Sequence, residues 1–294
     1  MDILQRFVTH EPLTGLPTYF IVAAVASLGA IIGSFLNVVI HRVPREESIA
    51  FPASHCPSCD TAIRPYDNIP VISWAVLRGR CRSCRAPISA RYPAVELLTA
   101  ALFAFVYLLR SGLTLSLPFD LAFVAAVVAL VFIDAEHMIL PDVITLPGIG
   151  FALVARALVP NLYGLGFLSD GLMRGTPDWA VSLAGALFGA LVGGGSLWLM
   201  GFLWERLRGV EAMGLGDVKM MFMVGAYLGW AHTILTIFLA VITGSLVGVA
   251  LMLRRGERDM QMMLPFGIFL GTGAILSLLV GHAIIGWYVG RFAP

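Results

Sequence analysis

One lysine stands in the whole chain, Lys219, and only 13% of the 294 residues carry a charge. A soluble domain carries about 25%, so the scarcity of charge excludes an ordinary solvated enzyme. No G-x-G-x-G turn or soluble Rossmann pattern is present to cradle a nucleotide. No internal repeat stands out either, as an inverted-repeat transporter would require. The formal net charge of +1 identifies no partner, and nucleic acid is not expected as one.

What is present is apolar sequence, 59% of the chain, in runs of the roughly 20 residues needed to cross a hydrocarbon core of about 30 Å. Eight such runs are expected to be helices, near 18–40, 94–110, 118–134, 142–159, 179–204, 213–230, 232–253 and 264–290. The fold class is therefore an all-α polytopic membrane protein of about eight spans. The first run lacks a basic start and exceeds the length of a cleavable signal, so it reads as a retained span. The expected organisation is a first span over 1–41, a loop over 42–93 and a seven-helix membrane core over 94–294.

Basic residues orient such a chain, because cytoplasmic loops carry the excess. In an eight-span arrangement one side holds fourteen: Arg42, Arg45, Arg64, Arg78, Arg80, Arg82, Arg85, Arg91, Arg206, Arg208, Lys219, Arg254, Arg255 and Arg258. The other holds five: Arg6, Arg110, Arg156, Arg174 and Arg291. The long loop is then cytoplasmic and both termini face outward.

All four cysteines lie in that loop, as Cys56-Pro-Ser-Cys59 and Cys81-Arg-Ser-Cys84. Two C-x-x-C pairs about twenty residues apart form a tetrathiolate zinc pattern. A metal also suits a loop too short to build its own core, and a reducing cytosol disfavours the alternative of disulfides. With four cysteine ligands such a site is closed, and so structural. Where the loop re-enters the membrane, "RYPAVELLTA" places Arg91, Tyr92 and Glu96 at a helix start. The first two read as interfacial anchors. Glu96 reads either as a carboxylate favoured by the helix N-terminus or as a ligand-binding group.

Two further polar islands carry carboxylates into apolar sequence. "FIDAEHMILPDVITLP" (132–147) holds Asp134 near the end of one expected span and Asp142 at the start of the next. "EAMGLGDVKMM" (211–221) holds Asp217 behind Gly214 and Gly216. The eight-span arrangement puts Asp134 and Asp217 at one membrane depth, and ionisable groups inside spans are functional candidates. Two carboxylates close together share one proton, so one can take a proton from water while the other polarises a carbonyl. That is aspartic-protease chemistry, with glycines that let substrate backbone approach. Carrying protons or cations through a transporter is the rival use for the same pair. Asp142, following Pro141, reads as a helix-start residue, His137 as interfacial and Glu136 as solvated.

"GSFLNVVIHRVP" (33–44), the two cysteine pairs, "RYPAVELLTA", "FIDAEHMILPD" and "EAMGLGDVKMM" occur in the order that characterises type IV prepilin peptidases. Over nearly its whole length the sequence resembles these bacterial prepilin leader peptidase/N-methyltransferases of the inner membrane. The resemblance implies a cytoplasm-facing aspartic protease with Asp134 and Asp217 as its catalytic pair. Gly214, Gly216, Lys219 and Glu211 belong to the surrounding motif. It implies substrates that are prepilins or type II secretion pseudopilins, whose basic leader is cut after a glycine while their apolar helix lies in the lipid. It also implies methylation of the new N-terminus by S-adenosylmethionine, with Asn68, Arg91, Tyr92 and Glu96 as candidate cofactor-binding residues. The attacking α-ammonium, with a pKa of about 8, must first lose a proton. Near the C-terminus "LPFGIF" (264–269) resembles the family's Pro-Phe-Gly-Pro element, with Ile268 in place of the last proline. The segment from His41 to Cys56 is shorter than in some members.

Overall fold

The computed structural model describes residues 14–110, 112–160, 162, 175–209, 213–255 and 265–292. They form helices and turns, with no strand element among the described residues. The chain divides into two compact units, with the boundary between Ala129 and Leu130.

The first unit contains α1 (Thr18–Arg42), the short α2 (Ile72–Val76), α3 (Arg91–Leu109) and the beginning of α4 (Leu117–His137). Glycines spaced by four bring α1 and α3 together. A Cβ on Gly29 would lie 2.7 Å from the Cα of Ala100, and one on Gly33 would lie 2.7 Å from the Cα of Glu96. As one number rises by four the other falls by four, so the two helices run antiparallel. Lipid supplies no hydrophobic drive between helices, and small residues are what let two backbones close on each other. At the end of α1 the buried Arg42 donates from Nη1 to Ser48 O at 2.8 Å and from Nη2 to Pro52 O at 2.7 Å. These bonds fold the chain back into the cysteine loop. Asp120 is fully buried on α4 and is offset by Arg110, whose Nε lies 3.2 Å from its Oδ2.

The second unit holds the rest of α4, then α5 (Asp142–Leu158), α6 (Asp178–Ala190), α7 (Ser196–Arg208), α8 (Leu215–Leu228), α9 (Trp230–Arg255) and α10 (Phe266–Phe292). A single π turn, Leu191–Gly195, joins α6 to α7. The centre is α8, which buries Val218, Met220, Met221 and every residue from Met223 to Leu228. Gly189 of α6 and Gly225 of α8 lie so close that a Cβ on either would fall on the carbonyl oxygen of the other. On another side Gly148 of α5 receives the Met223 side chain.

Among the described residues, six helices are long and apolar enough to cross a membrane: Thr18–Arg45, Arg91–Leu109, Leu117–His137, Asp178–Arg208, Trp230–Arg254 and Phe266–Phe292. The other two expected spans are present as helices but are short, 17 residues for α5 and 14 for α8. A helix of 14 residues reaches about 21 Å, less than the roughly 30 Å of a hydrocarbon core. Irregular backbone and polar groups are tolerated at membrane depth where protein surrounds them.

Candidate active site and metal centre

Asp134 sits on the last turn of α4, 5% exposed. The helix ends just beyond it, where Met138 adopts a left-handed φ of 53° and its N–H bonds to Asp134 O at 2.9 Å. Four residues, Met138 to Pro141, then lead to α5, whose first turn opens on Asp142. Asp217 lies in the first turn of α8, with Gly214 as the preceding cap residue and Asp217 N–H bonded to Gly214 O at 3.2 Å. The carboxylates of Asp134 and Asp217 lie within electrostatic reach of each other.

One side chain locks these segments together. Leu140, in the turn between α4 and α5, packs against Gly216, where a Cβ would lie 3.0 Å from its own Cβ. It also packs against Gly267, where a Cβ would lie 3.2 Å from its Cδ1. The same Cβ on Gly267 would meet Asp134 Oδ2 at 2.7 Å. Thus Gly216 is a packing residue at the helix start, and Gly267 on α10 shapes the seat of Asp134. Ile268, next in the chain, donates its backbone N–H to Asp134 Oδ2 at 3.1 Å, and the Gly267 amide also faces that carboxyl group.

Lys219 follows Asp217 by two positions, about 200° around the helix, so its ammonium leaves on another face. It reaches Asp142, with Nζ 2.7 Å from Oδ1 and 2.8 Å from Oδ2. Asp142 therefore does occupy a helix start, and it also ties the start of α5 to α8. Glu136 is exposed and His137 lies 4.0 Å from it. Glu211 lies outside the described residues.

In the first unit the cysteine loop is built from two copies of one turn. In the first, Cys56 N–H bonds to Thr61 O at 3.0 Å and Asp60 N–H to Cys56 O at 2.9 Å. In the second, Cys81 N–H bonds to Ala86 O at 2.8 Å and Arg85 N–H to Cys81 O at 3.1 Å. Asp60 and Arg85 hold the same left-handed position, at φ 53° and 61°. All four sulfurs lie within 4.8 Å of one another and none is in a disulfide. Zinc–sulfur bonds of about 2.3 Å give a tetrahedron with edges of about 3.8 Å, and Cys56 Sγ lies 3.8 Å from Cys84 Sγ. Hydrogen bonding with Thr61 holds the Cys59 thiol down at about 6. The neighbouring cysteines push the Cys84 thiol up to about 11, so the four sulfurs do not all ionise unaided, and a divalent cation at their centre would offset the repulsion of four thiolates. The residues fit zinc.

Between the turns Arg82 grips Asp67, its Nε 2.9 Å from Oδ2, and that bond holds the Asp67 carboxyl below the usual range. The Trp74 indole donates to Ile88 O at 3.1 Å and covers Gly79.

Three of the four candidate cofactor residues, Arg91, Tyr92 and Glu96, lie in the first turns of α3, and no contact brings Asn68 to them. The Arg91 guanidinium stacks over the Tyr92 ring at 4.9 Å. Tyr92 O accepts from Asn37 Nδ2 of α1 at 3.0 Å, while Asn37 Oδ1 is buried with no protein partner. Glu96 Oε2 accepts from Val71 N–H at 2.7 Å, holding Val71 at a φ of 61°. Glu96 is thereby committed to the loop, three residues past the exposed Asn68. A cation, an aromatic face, an amide and a free buried acceptor suit a ligand that carries a carboxylate, a purine and a sulfonium. Asn37 was missed in the sequence, although a lone asparagine inside "GSFLNVVIHR" was the available signal.

Comparison with known proteins adds two family models in chain order. Residues 27–109 match the bacterial peptidase A24 N-terminal domain and residues 121–249 match the type IV leader peptidase family. Among curated proteins, a prepilin leader peptidase/N-methyltransferase of Aeromonas hydrophila is 39% identical, covering 95% of this chain and 97% of its own. Proteins of the same name from Pseudomonas aeruginosa and Stutzerimonas stutzeri are 35% and 36% identical. The first covers 98% of both chains, and the second covers 95% of this chain and 97% of its own. No solved structure matches the chain significantly.

Proposed function

The chain belongs to the type IV leader peptidase family, and from that premise we propose that Asp134 and Asp217 form the pair that cleaves prepilin leaders. What supports the reading is that Asp134, on the last turn of α4, and Asp217, on the first turn of α8, lie within electrostatic reach of each other, while Leu140 packs on Gly216 beside Asp217 and on Gly267, which faces Asp134. The ionised member takes a proton from water as its oxygen attacks the scissile carbonyl. The protonated member gives its proton to that carbonyl oxygen as it gains charge. As the tetrahedral carbon collapses and the C–N bond breaks, it takes that proton back, and the member that took a proton from water delivers it to the leaving amine. Backbone approach is eased by Gly214, at which a Cβ would meet nothing nearer than 3.8 Å.

The substrate is a prepilin or type II secretion pseudopilin. Its basic leader lies on the cytoplasmic side and its apolar helix lies in the bilayer, so the scissile bond falls at the membrane face. The arginine asymmetry supports a cytoplasmic loop over 42–93, held by zinc on Cys56, Cys59, Cys81 and Cys84, and a peptidase core over 94–294. As in its relatives by name, the second activity is N-methylation of the new terminus. S-adenosylmethionine supplies the methyl group as an electrophile. Arg91 would hold a carboxylate and Tyr92 an aromatic or cationic face. Asn68 would lie at the rim, and Glu96 would fix the loop through Val71.

The test is mass spectrometry of a prepilin co-expressed with the protein. Loss of the leader and gain of one methyl group on the mature N-terminus are expected as two separate mass changes. A prepilin of unchanged mass beside abundant, membrane-inserted protein would overturn the proposal.

A further inference from the structure

The Asp134 carboxyl group accepts hydrogen bonds from the first turn of α10, a helix far from it in sequence. The first N–H groups of any helix have no carbonyl within the helix to bond. Ile268 is the third residue of α10, and its N–H points at Asp134 Oδ2 at 3.1 Å. The Gly267 amide faces the same carboxyl group, and the absence of a side chain there leaves the carboxylate room to enter. Both donors are backbone, so no rotamer change can withdraw them. The Ile268 bond commits Oδ2.

A proline at position 268 would have no N–H to give, so isoleucine adds a bond that the Pro-Phe-Gly-Pro version of this element cannot make.

We propose that the backbone N–H of Ile268 is a positioning group for leader cleavage in this protein, one that fixes the orientation of Asp134 through Oδ2. The proposal rests on the reading of Asp134 as one of the catalytic pair. Its side chain is incidental: any residue except proline at 268 serves. The geometry also makes the bond separable from the fold. Proline is accepted in the first turn of a helix, and the residue before it is Gly267, which tolerates the restriction that proline imposes. Ile268→Pro is therefore close to the deletion of a single hydrogen bond, whereas Ile268→Ala removes the side chain and keeps the bond.

The experiment measures turnover and KM for leader cleavage by purified wild-type, Ile268→Ala, Ile268→Pro and Asp134→Asn proteins, with a melting temperature for each. Ile268→Ala is expected within about twofold of wild type. Ile268→Pro is expected to lose about tenfold or more in kcat with little change in KM, the scale of one charge-assisted bond. Equal kcat in the alanine and proline variants, beside an inactive Asp134→Asn, would overturn the proposal and leave the catalytic reading intact. An active Asp134→Asn would instead overturn that reading. If the proline variant melts early, the α-hydroxy analogue of isoleucine at 268 replaces the amide by an ester. Wild-type kcat in that protein would equally sink the proposal.

Discussion

Lys219 and Asp142 form a two-point ion pair across 77 positions of sequence, with Nζ 2.7 Å and 2.8 Å from the two carboxylate oxygens. The chain's one lysine thus serves the segment next to Asp134 and not the neighbouring Asp217. It ties the start of α5 to α8 beside the turn in which Leu140 packs. Asp142 also lies in the first turn of its helix, where negative charge is favoured. Its carboxylate is therefore held twice, by the helix end and by the ammonium.

Substituting Asp142→Asn is expected to leave leader cleavage well above that of either dyad variant. Both side chains are partly exposed, 33% for Lys219 and 55% for Asp142, so solvent screens the pair. A double-mutant cycle with Lys219→Ala should give a coupling of about 1 kcal/mol or less. An Asp142→Asn protein as inactive as Asp134→Asn, yet normally folded, would place Asp142 in the chemistry.

The glycines around the site separate by the space they leave. Gly267→Ala drives a methyl group to 2.7 Å from Asp134 Oδ2, and Gly216→Ala drives one to 3.0 Å from Leu140 Cβ. Misplacing a reacting group by about 1 Å can cost about a hundredfold in rate. Cleavage by Gly267→Ala should fall by tens of fold, and Gly216→Ala should fall less, because the leucine can give way. Gly214→Ala should keep the wild-type melting temperature, since its nearest neighbour is 3.8 Å away and its φ is −68°. Wild-type turnover in Gly267→Ala would contradict the seat described for Asp134.

Purified protein should contain one zinc per chain, measured by elemental analysis. Replacing any one of Cys56, Cys59, Cys81 or Cys84 by serine should lower that content sharply. It should also loosen the loop to limited proteolysis between residues 50 and 90 while sparing the membrane helices. Each cysteine variant should lose activity only in step with the loop. A stoichiometry near zero with four intact thiols would refute the metal centre.

Sidedness is open to chemical labelling. In a cysteine-free background, which also removes the zinc site, a reporter cysteine at Ala62 should react with an impermeant maleimide only after the membrane is opened. One at Thr14 should react in intact cells. To keep the loop folded, a second set retains the four native cysteines and uses a reporter at Thr14 alone. Labelling at position 62 from outside would reverse the orientation.

Much of the architecture was legible because hydrophobic length is a strong signal. All eight expected runs coincide with helices within a few residues, and the two cysteine pairs do converge. Bilayer crossing was less legible, since α5 and α8 match in composition but fall short in length. The ends of α8 were hidden by apolar neighbours such as Met213 and Trp230 that lie outside it, whereas α5 begins at Asp142 as expected. The Asp134 seat was not legible at all. A backbone N–H carries no sequence signal, so "FGIF" announces a glycine but not the amide of Ile268 that reaches back 134 positions. Glu96 was visible as a misplaced carboxylate, yet its bond to Val71 depends on a left-handed residue that no pattern predicts.

The central claim is that Asp134 and Asp217 act as one unit. The direct measurement is leader cleavage by purified Asp134→Asn, Asp217→Asn and the double variant, each confirmed folded and free of wild-type enzyme. Asparagine keeps the volume but cannot take a proton from water. Each single variant is expected to be inactive and the double variant no worse than either, as residues acting together are not additive. Methyl transfer to a prepilin already lacking its leader is expected to survive in all three. Substantial cleavage by Asp217→Asn would contradict the account.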